Sequence, residues 1–259
     1  MNKRIIYRLG SWMTFRELTP IMAIVGILVI FFLSQIIAVN IVAIVGAIRG
    51  MNETEIIKWI DESTPARFGM YLMIGIVGLI FVNLMLKKYR ISWSDIGLKH
   101  PVWKDGLYAL AGYGWYLPLY IVSALFISKI FPVVDLSQKQ QLGFDLNVSG
   151  AGLIFTGLSL VLIPAVYEEI LFRGVLFTGL RKKLSLIVSM IVVSGMFAIA
   201  HLEWSAQTPL LWAAAVDTFI LSIILVYMRE KTGSLWPCIG LHAIKNSVAF
   251  AILFVFKVA

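Results

Sequence analysis

Seven long apolar runs constrain this chain before anything else does. A stretch of 18 or more residues with few charges reads as a helix that crosses a bilayer, because about 20 residues at 1.5 Å each span roughly 30 Å of hydrocarbon. The runs cover 21–48, 68–86, 107–131, 150–180, 185–201, 210–228 and 235–256. The first is long enough to tilt or protrude, and the third contains Pro118, a candidate kink. The fifth is short and ends on a histidine. The composition agrees: 60% of the 259 residues are hydrophobic and 14% charged, against about 45–50% and 25% in soluble domains. The surplus must face lipid. The expected fold is an all-α polytopic membrane helix bundle of about seven transmembrane helices. Residues 1–149 form an N-terminal membrane region with three spans and interfacial segments, and residues 150–259 form a four-span core.

A net charge of +8 raises the question of nucleic acid, and the placement of the basic residues answers it. Lysine and arginine mark the cytoplasmic ends of membrane spans. The N-terminus carries four (Lys3, Arg4, Arg8, Arg16), the 87–106 segment five, the 181–183 turn three and the 229–231 turn two. Those fourteen face six on the other side, with Arg173 and Lys245 inside spans. The charge is topological: the N-terminus is expected in the cytoplasm, and no nucleic-acid partner is expected. The basic start runs into an apolar stretch longer than a signal peptide uses, so no cleaved signal is expected. Residues 52–67 place Ile56, Ile57 and Ile60 at helical spacing among acids, the pattern of a short surface helix. The 87–106 segment, with Trp93 and Trp103, reads as an interfacial stretch on the basic side.

Charged groups inside a bilayer cost about 2.5–3.5 kcal/mol each on insertion scales, so those that remain call for a partner or a task. The set here is Glu168, Glu169, Arg173, His201, Asp217, His242 and Lys245, with the polar Asn246. Glu169 and Arg173 stand at i and i+4 and can pair on one helix face. Glu168 lies about 100° round the axis from Glu169, away from the arginine, in a poorly solvated setting suited to a general base. His242 and Asn246 are also i and i+4, and together they can donate hydrogen bonds to a developing oxyanion. The bland alternative is an interhelical polar clamp. His201 adds a third helix, and Phe197 one turn earlier can brace its ring. Counting from the basic-side helix ends, Glu168 lies roughly 19 Å deep, His242 12 Å, Asn246 18 Å and His201 24 Å, close enough to meet. A water-filled cavity open to that inner side is expected, since hydrolysis needs water.

Cys238 precedes His242 by four residues, so a Cys-His-Asn peptidase is an alternative. Pro237 beside it favours a packing role, and a lone cysteine excludes an internal disulfide. Asp217 either pairs with Lys245 or supports a histidine.

In chain order these residues spell EExxxR (Glu168, Glu169, Arg173), FxxxH (Phe197, His201) and HxxxN (His242, Asn246). The three motifs resemble the CAAX protease and bacteriocin-processing family, also called the ABI family, which is related to the Ras-converting CAAX endopeptidase. The resemblance covers about 150–256 and includes the 229–237 stretch. It implies an intramembrane endopeptidase in which Glu168 and His201 activate water, His242 and Asn246 hold the oxyanion, and Glu169 and Arg173 support the helix. No cofactor is expected. A zinc-dependent version would use Glu168, His201 and His242 as ligands. The expected partners are the lipid bilayer and a membrane-associated peptide or protein substrate, and the expected location is the plasma membrane of a prokaryote. The alternative from another class is a non-catalytic immunity or scaffold protein that binds a peptide in the same cavity. A transporter is disfavoured by the lack of an internal repeat.

Overall fold

The computed structural model describes residues 18–138, 143–202 and 210–257. The basic residues of the N-terminus lie outside the described residues. The helices are α1 (Pro20–Ile48), α2 (Glu53–Glu62), α3 (Thr64–Tyr89), α4 (Trp103–Ile130), α5 (Ala151–Arg181), α6 (Leu186–Ala200), α7 (Trp212–Thr232) and α8 (Trp236–Val255). Six of these are long and apolar enough to cross a membrane, and α6 is a shorter apolar helix. The protein is therefore an all-α multi-pass membrane bundle. α4 continues unbroken through Pro118.

Helix ends follow local chemistry. Thr19, Asn52, Ser63 and Ser185 accept bonds from the first turns of α1, α2, α3 and α6, satisfying donors that a helix start leaves free. At Asn52 the capping box is complete, with Glu55 bonding back to the Asn52 N–H. The short helix expected over 52–67 is confined to Glu53–Glu62 and has no buried residue, while residues 64–67 form the first turn of α3. The 90–102 segment is a turn-rich loop. It buries Ile96 in the core and ties to the start of α8 through Leu235 N–H to Gly97 O (2.9 Å) and Trp236 Nε1 to Lys99 O (2.6 Å).

The core forms around the second half of α5, where Ile170, Leu171, Val175, Leu176 and Leu180 pack against α1, α3 and α6. Helix α1 presents Ala23, Ile27, Ile30, Ser34, Ala38 and Val42 inward, mostly at four-residue spacing, while Val25, Phe32, Ile36 and Ile44 stay exposed to lipid. Small residues on the inner stripe let helices approach. Tyr167 uses one such approach. Its hydroxyl meets Ser34 Oγ at 2.9 Å, and its ring lies where a Cβ on Gly78 of α3 would stand. These two contacts fix the roll of α5 one residue before Glu168.

Gly78→Ala should therefore lower the midpoint of thermal unfolding in detergent, with an overpacking cost of about 1–3 kcal/mol. Gly114→Ala on α4, where nothing lies within 4 Å of the new Cβ, should leave the midpoint unchanged or raise it. Equal behaviour of the two variants would show that Tyr167 does not set the roll of α5.

Candidate active site

Helix α5 delivers both glutamates, and it is not a regular α-helix. Two π-helical stretches, Leu158–Leu162 and Ile170–Leu176, interrupt it, with five-residue bonds such as Ile163 N–H to Leu158 O and Phe177 N–H to Phe172 O. Single π turns of this kind widen a helix locally and recur at functional sites. The first stretch abuts Pro164, which has no N–H to offer the carbonyl four residues back. That carbonyl belongs to Leu160, and it accepts a 3.0 Å bond from Asn246 Nδ2 of α8. The proline thus frees the acceptor that anchors Asn246.

Glu168 and Glu169 sit in different surroundings. Glu169 is fully buried, with Oε1 accepting from Arg173 Nη1 at 2.9 Å and from His242 Nδ1 at 2.9 Å. The expected i, i+4 pair with arginine is present, and the bond to His242 is an addition that sequence spacing did not reveal. Glu168 keeps an 18% exposed side chain, and its Oε2 lies 3.9 Å from His201 Nε2 and 3.9 Å from His242 Nε2. That oxygen is buried and accepts no hydrogen bond from the described residues.

The partners of the Nδ1 atoms orient both imidazoles. His201 directly follows the end of α6 and donates from Nδ1 to Phe197 O at 2.8 Å, since a carbonyl only accepts. His242 donates from Nδ1 to the Glu169 carboxylate. Both rings therefore present Nε2 to Glu168. Phe197 lies beside His201 as expected, with ring centroids 4.6 Å apart; it also lies 6.1 Å from His242, and the Arg173 guanidinium lies 4.3 Å over its ring.

Glu168, His201, His242 and Asn246 all line one cavity of about 380 Å³, together with Asp217 and Lys245. Asp217 and Lys245 form an ion pair at 2.7 Å, one of the two roles weighed for the aspartate. Cys238 is buried, bonds to Leu225 O at 3.3 Å and does not line the cavity, so it packs α8 against α7. The cavity corrects one expectation. Its other walls come from Tyr71, Leu136, Gln138 and Leu211, all at the end of the bundle away from Lys87, Lys99, Arg181 and Arg229. The expected opening was toward the basic end. As for zinc, among the described residues no three His, Cys, Asp or Glu side chains are grouped so as to hold a metal ion.

No curated protein and no solved structure matches the chain. Residues 150–248 match the family model described as Type II CAAX prenyl endopeptidase Rce1-like, and that stretch contains EExxxR, FxxxH and HxxxN entire.

Proposed function

We propose that this protein is a glutamate-dependent intramembrane endopeptidase that hydrolyses a peptide bond of a membrane-associated peptide or protein. The observation that carries the reading is the unpartnered Glu168 Oε2 held 3.9 Å from two imidazole Nε2 atoms. A water molecule fits between Glu168 and His201, with about 2.8 Å to each. Glu168 takes one proton from it while His201 Nε2 accepts the other hydrogen, and the water oxygen attacks the scissile carbonyl carbon. The carbonyl π pair moves to oxygen. That oxyanion is met by the second N–H of Asn246 Nδ2, whose first is held by Leu160, and by His242 Nε2–H. His242 donates there only when both ring nitrogens carry protons, Nδ1–H toward the Glu169 carboxylate and Nε2–H toward the oxyanion. Collapse of the tetrahedral intermediate breaks the C–N bond, and Glu168 returns its proton to the leaving amine.

The non-catalytic scaffold reading gives no reason for a general base beside two oriented histidines. Glu168→Gln keeps the shape and removes the base, so cleavage should fall by about 10²–10⁴-fold with the unfolding midpoint unchanged. Arg173→Ala should do the reverse in kind: it strands Glu169 in a buried site, at about 3–5 kcal/mol for a broken buried pair, and lowers expression and thermal stability. Wild-type cleavage by the glutamine variant would remove Glu168 from the mechanism.

Asn246→Ala should lower kcat by about 10²–10³-fold with little change in substrate affinity, because an oxyanion donor acts in the transition state. The metal-free mechanism also predicts full activity after exhaustive chelation and metal content well below one equivalent per chain. Stoichiometric zinc, with cleavage lost to a chelator and regained on zinc addition, would reassign Glu168, His201 and His242 as ligands.

The basic ends of the spans belong in the cytoplasm, so the cavity, which reaches the other end, belongs on the non-cytoplasmic side. Cys238 is buried, which permits single added cysteines. An impermeant thiol reagent applied to intact cells should label a cysteine at Gln138 and spare one at Lys182. The opposite pattern would invert the topology.

A further inference from the structure

Arg229 carries a buried charge that no carboxylate among the described residues pairs with. It stands in the last turn of α7 with 8% exposure. Its Nε is buried without an acceptor, and among the described residues its guanidinium makes no hydrogen bond. The acids at that end of the bundle are committed elsewhere. Both Glu230 oxygens accept from Arg181 (3.2 and 2.9 Å), Asp95 Oδ2 accepts from Ser92, and Asp105 Oδ2 accepts from the Val102 N–H. Lys104, Lys182, Lys183 and Lys231 at the same end are exposed, so water and the cytoplasmic bias of basic residues account for them. Neither accounts for a buried guanidinium. The negative end of the α7 dipole offsets only a small part of the cost of burying an ion.

The surroundings of Arg229 suit an anion. Its guanidinium packs on the backbone of Gly97 in the 90–102 loop, where a Cβ would stand 2.6 Å from Cζ and 2.8 Å from Nη2. Gly97 has φ 95°, a conformation open to glycine without strain. One turn past Arg229, Gly233 ends α7 at φ 63°, and Lys99 Nζ lies 3.3 Å from the place of its Cβ. The bond from Leu235 N–H to Gly97 O (2.9 Å) closes this junction, so Lys99 of the loop and Arg229 of α7 come to one place. Ser234 Oγ, next to Gly233, accepts from the Trp236 N–H (3.2 Å), which leaves its O–H to donate. A planar guanidinium fork matches phosphate oxygens, and an ammonium and a hydroxyl add donors from other directions. Arg229 lies about 4.5 Å inside the end of α7, near the level where headgroups begin.

We infer that Arg229 and Lys99, with the Ser234 hydroxyl, bind a phosphate group at the junction of the 90–102 loop and the turn from α7 to α8. Phospholipid headgroups and soluble phosphate share this chemistry. The bound anion neutralises the buried guanidinium and ties the loop, α7 and the start of α8 together, at the end of the bundle away from the cavity.

The test uses the purified full-length protein in a phosphate-free maltoside detergent, with the midpoint of thermal unfolding as the readout. Three additions are compared at matched ionic strength: inorganic phosphate, phosphatidylglycerol, and a diacylglycerol with the same chains and no phosphate. A ligand that binds the folded state raises the midpoint saturably. Wild type should respond to at least one of the two phosphate compounds and not to diacylglycerol. A response to phosphatidylglycerol alone assigns the site to a lipid headgroup, and a response to inorganic phosphate assigns it to soluble phosphate. Arg229→Met should lose the response. Lys99→Gln, a change at an exposed loop position, should weaken the apparent affinity about 10-fold, the size of one hydrogen bond to a charged group, and it decides the matter if Arg229→Met does not fold. Lys231→Gln, exposed and outside the junction, should leave the affinity within about 2-fold. No saturable response to either phosphate compound, a response that survives in Arg229→Met, or equal affinities in Lys99→Gln and Lys231→Gln overturns the assignment.

Discussion

One buried carboxylate organises the centre of this molecule. Moving an ion out of water costs several kcal/mol even after relaxation, and Glu169 has no exposure at all. Two bonds of 2.9 Å to a single oxygen offset that cost, one from Arg173 on its own helix and one from His242 on α8. Arg173 lays its guanidinium on Phe197 of α6, and Phe197 touches both histidine rings. The charge therefore fixes three helices relative to one another. It also dictates which nitrogen His242 shows to Glu168, because the Nδ1 of that ring is tied to this carboxylate. Glu168 and Glu169 are neighbours in sequence, yet Glu169 is sealed and Glu168 opens on the cavity. The division follows from the 100° between consecutive helical residues.

What was legible in the sequence was local along one helix. Apolar runs placed the spans, and i, i+4 spacing gave the Glu169–Arg173 pair and the common face of His242 and Asn246. The bracing of His201 by Phe197 is likewise a one-turn relation. Contacts between helices were less accessible, because they depend on how each helix is rolled. That roll is set here by small groups with no individual signature: Ser34 and Gly78 receive Tyr167, and nothing in the sequence pairs them. The bond from His242 to Glu169 belongs to the same class. So does the direction in which the cavity opens, which depends on how the helices pack around it.

Pro164 is the signal that could have been read further. A proline inside an apolar span leaves a carbonyl one turn back without its helical donor, and a freed acceptor in hydrocarbon needs a partner. Counting back four residues gives Leu160, and the nearest amide of the HxxxN motif satisfies it. The consequence reaches the chemistry. With one N–H of Asn246 spent on Leu160, the carboxamide is held in a single orientation and its second N–H is aimed by that restraint. The π-helical turns on either side of Ile163–Glu169 belong to the same adjustment of α5.

Helix α6 is short for a membrane span. Its 15 residues cover about 22 Å, less than a hydrocarbon thickness of about 30 Å. Beside the cavity, Leu211 N–H donates to Leu202 O (2.9 Å) and Gln138 Nε2 donates to Leu210 O (3.1 Å). His201 directly follows the helix end, and its imidazole stands at the level of Glu168 on the wall of the same cavity.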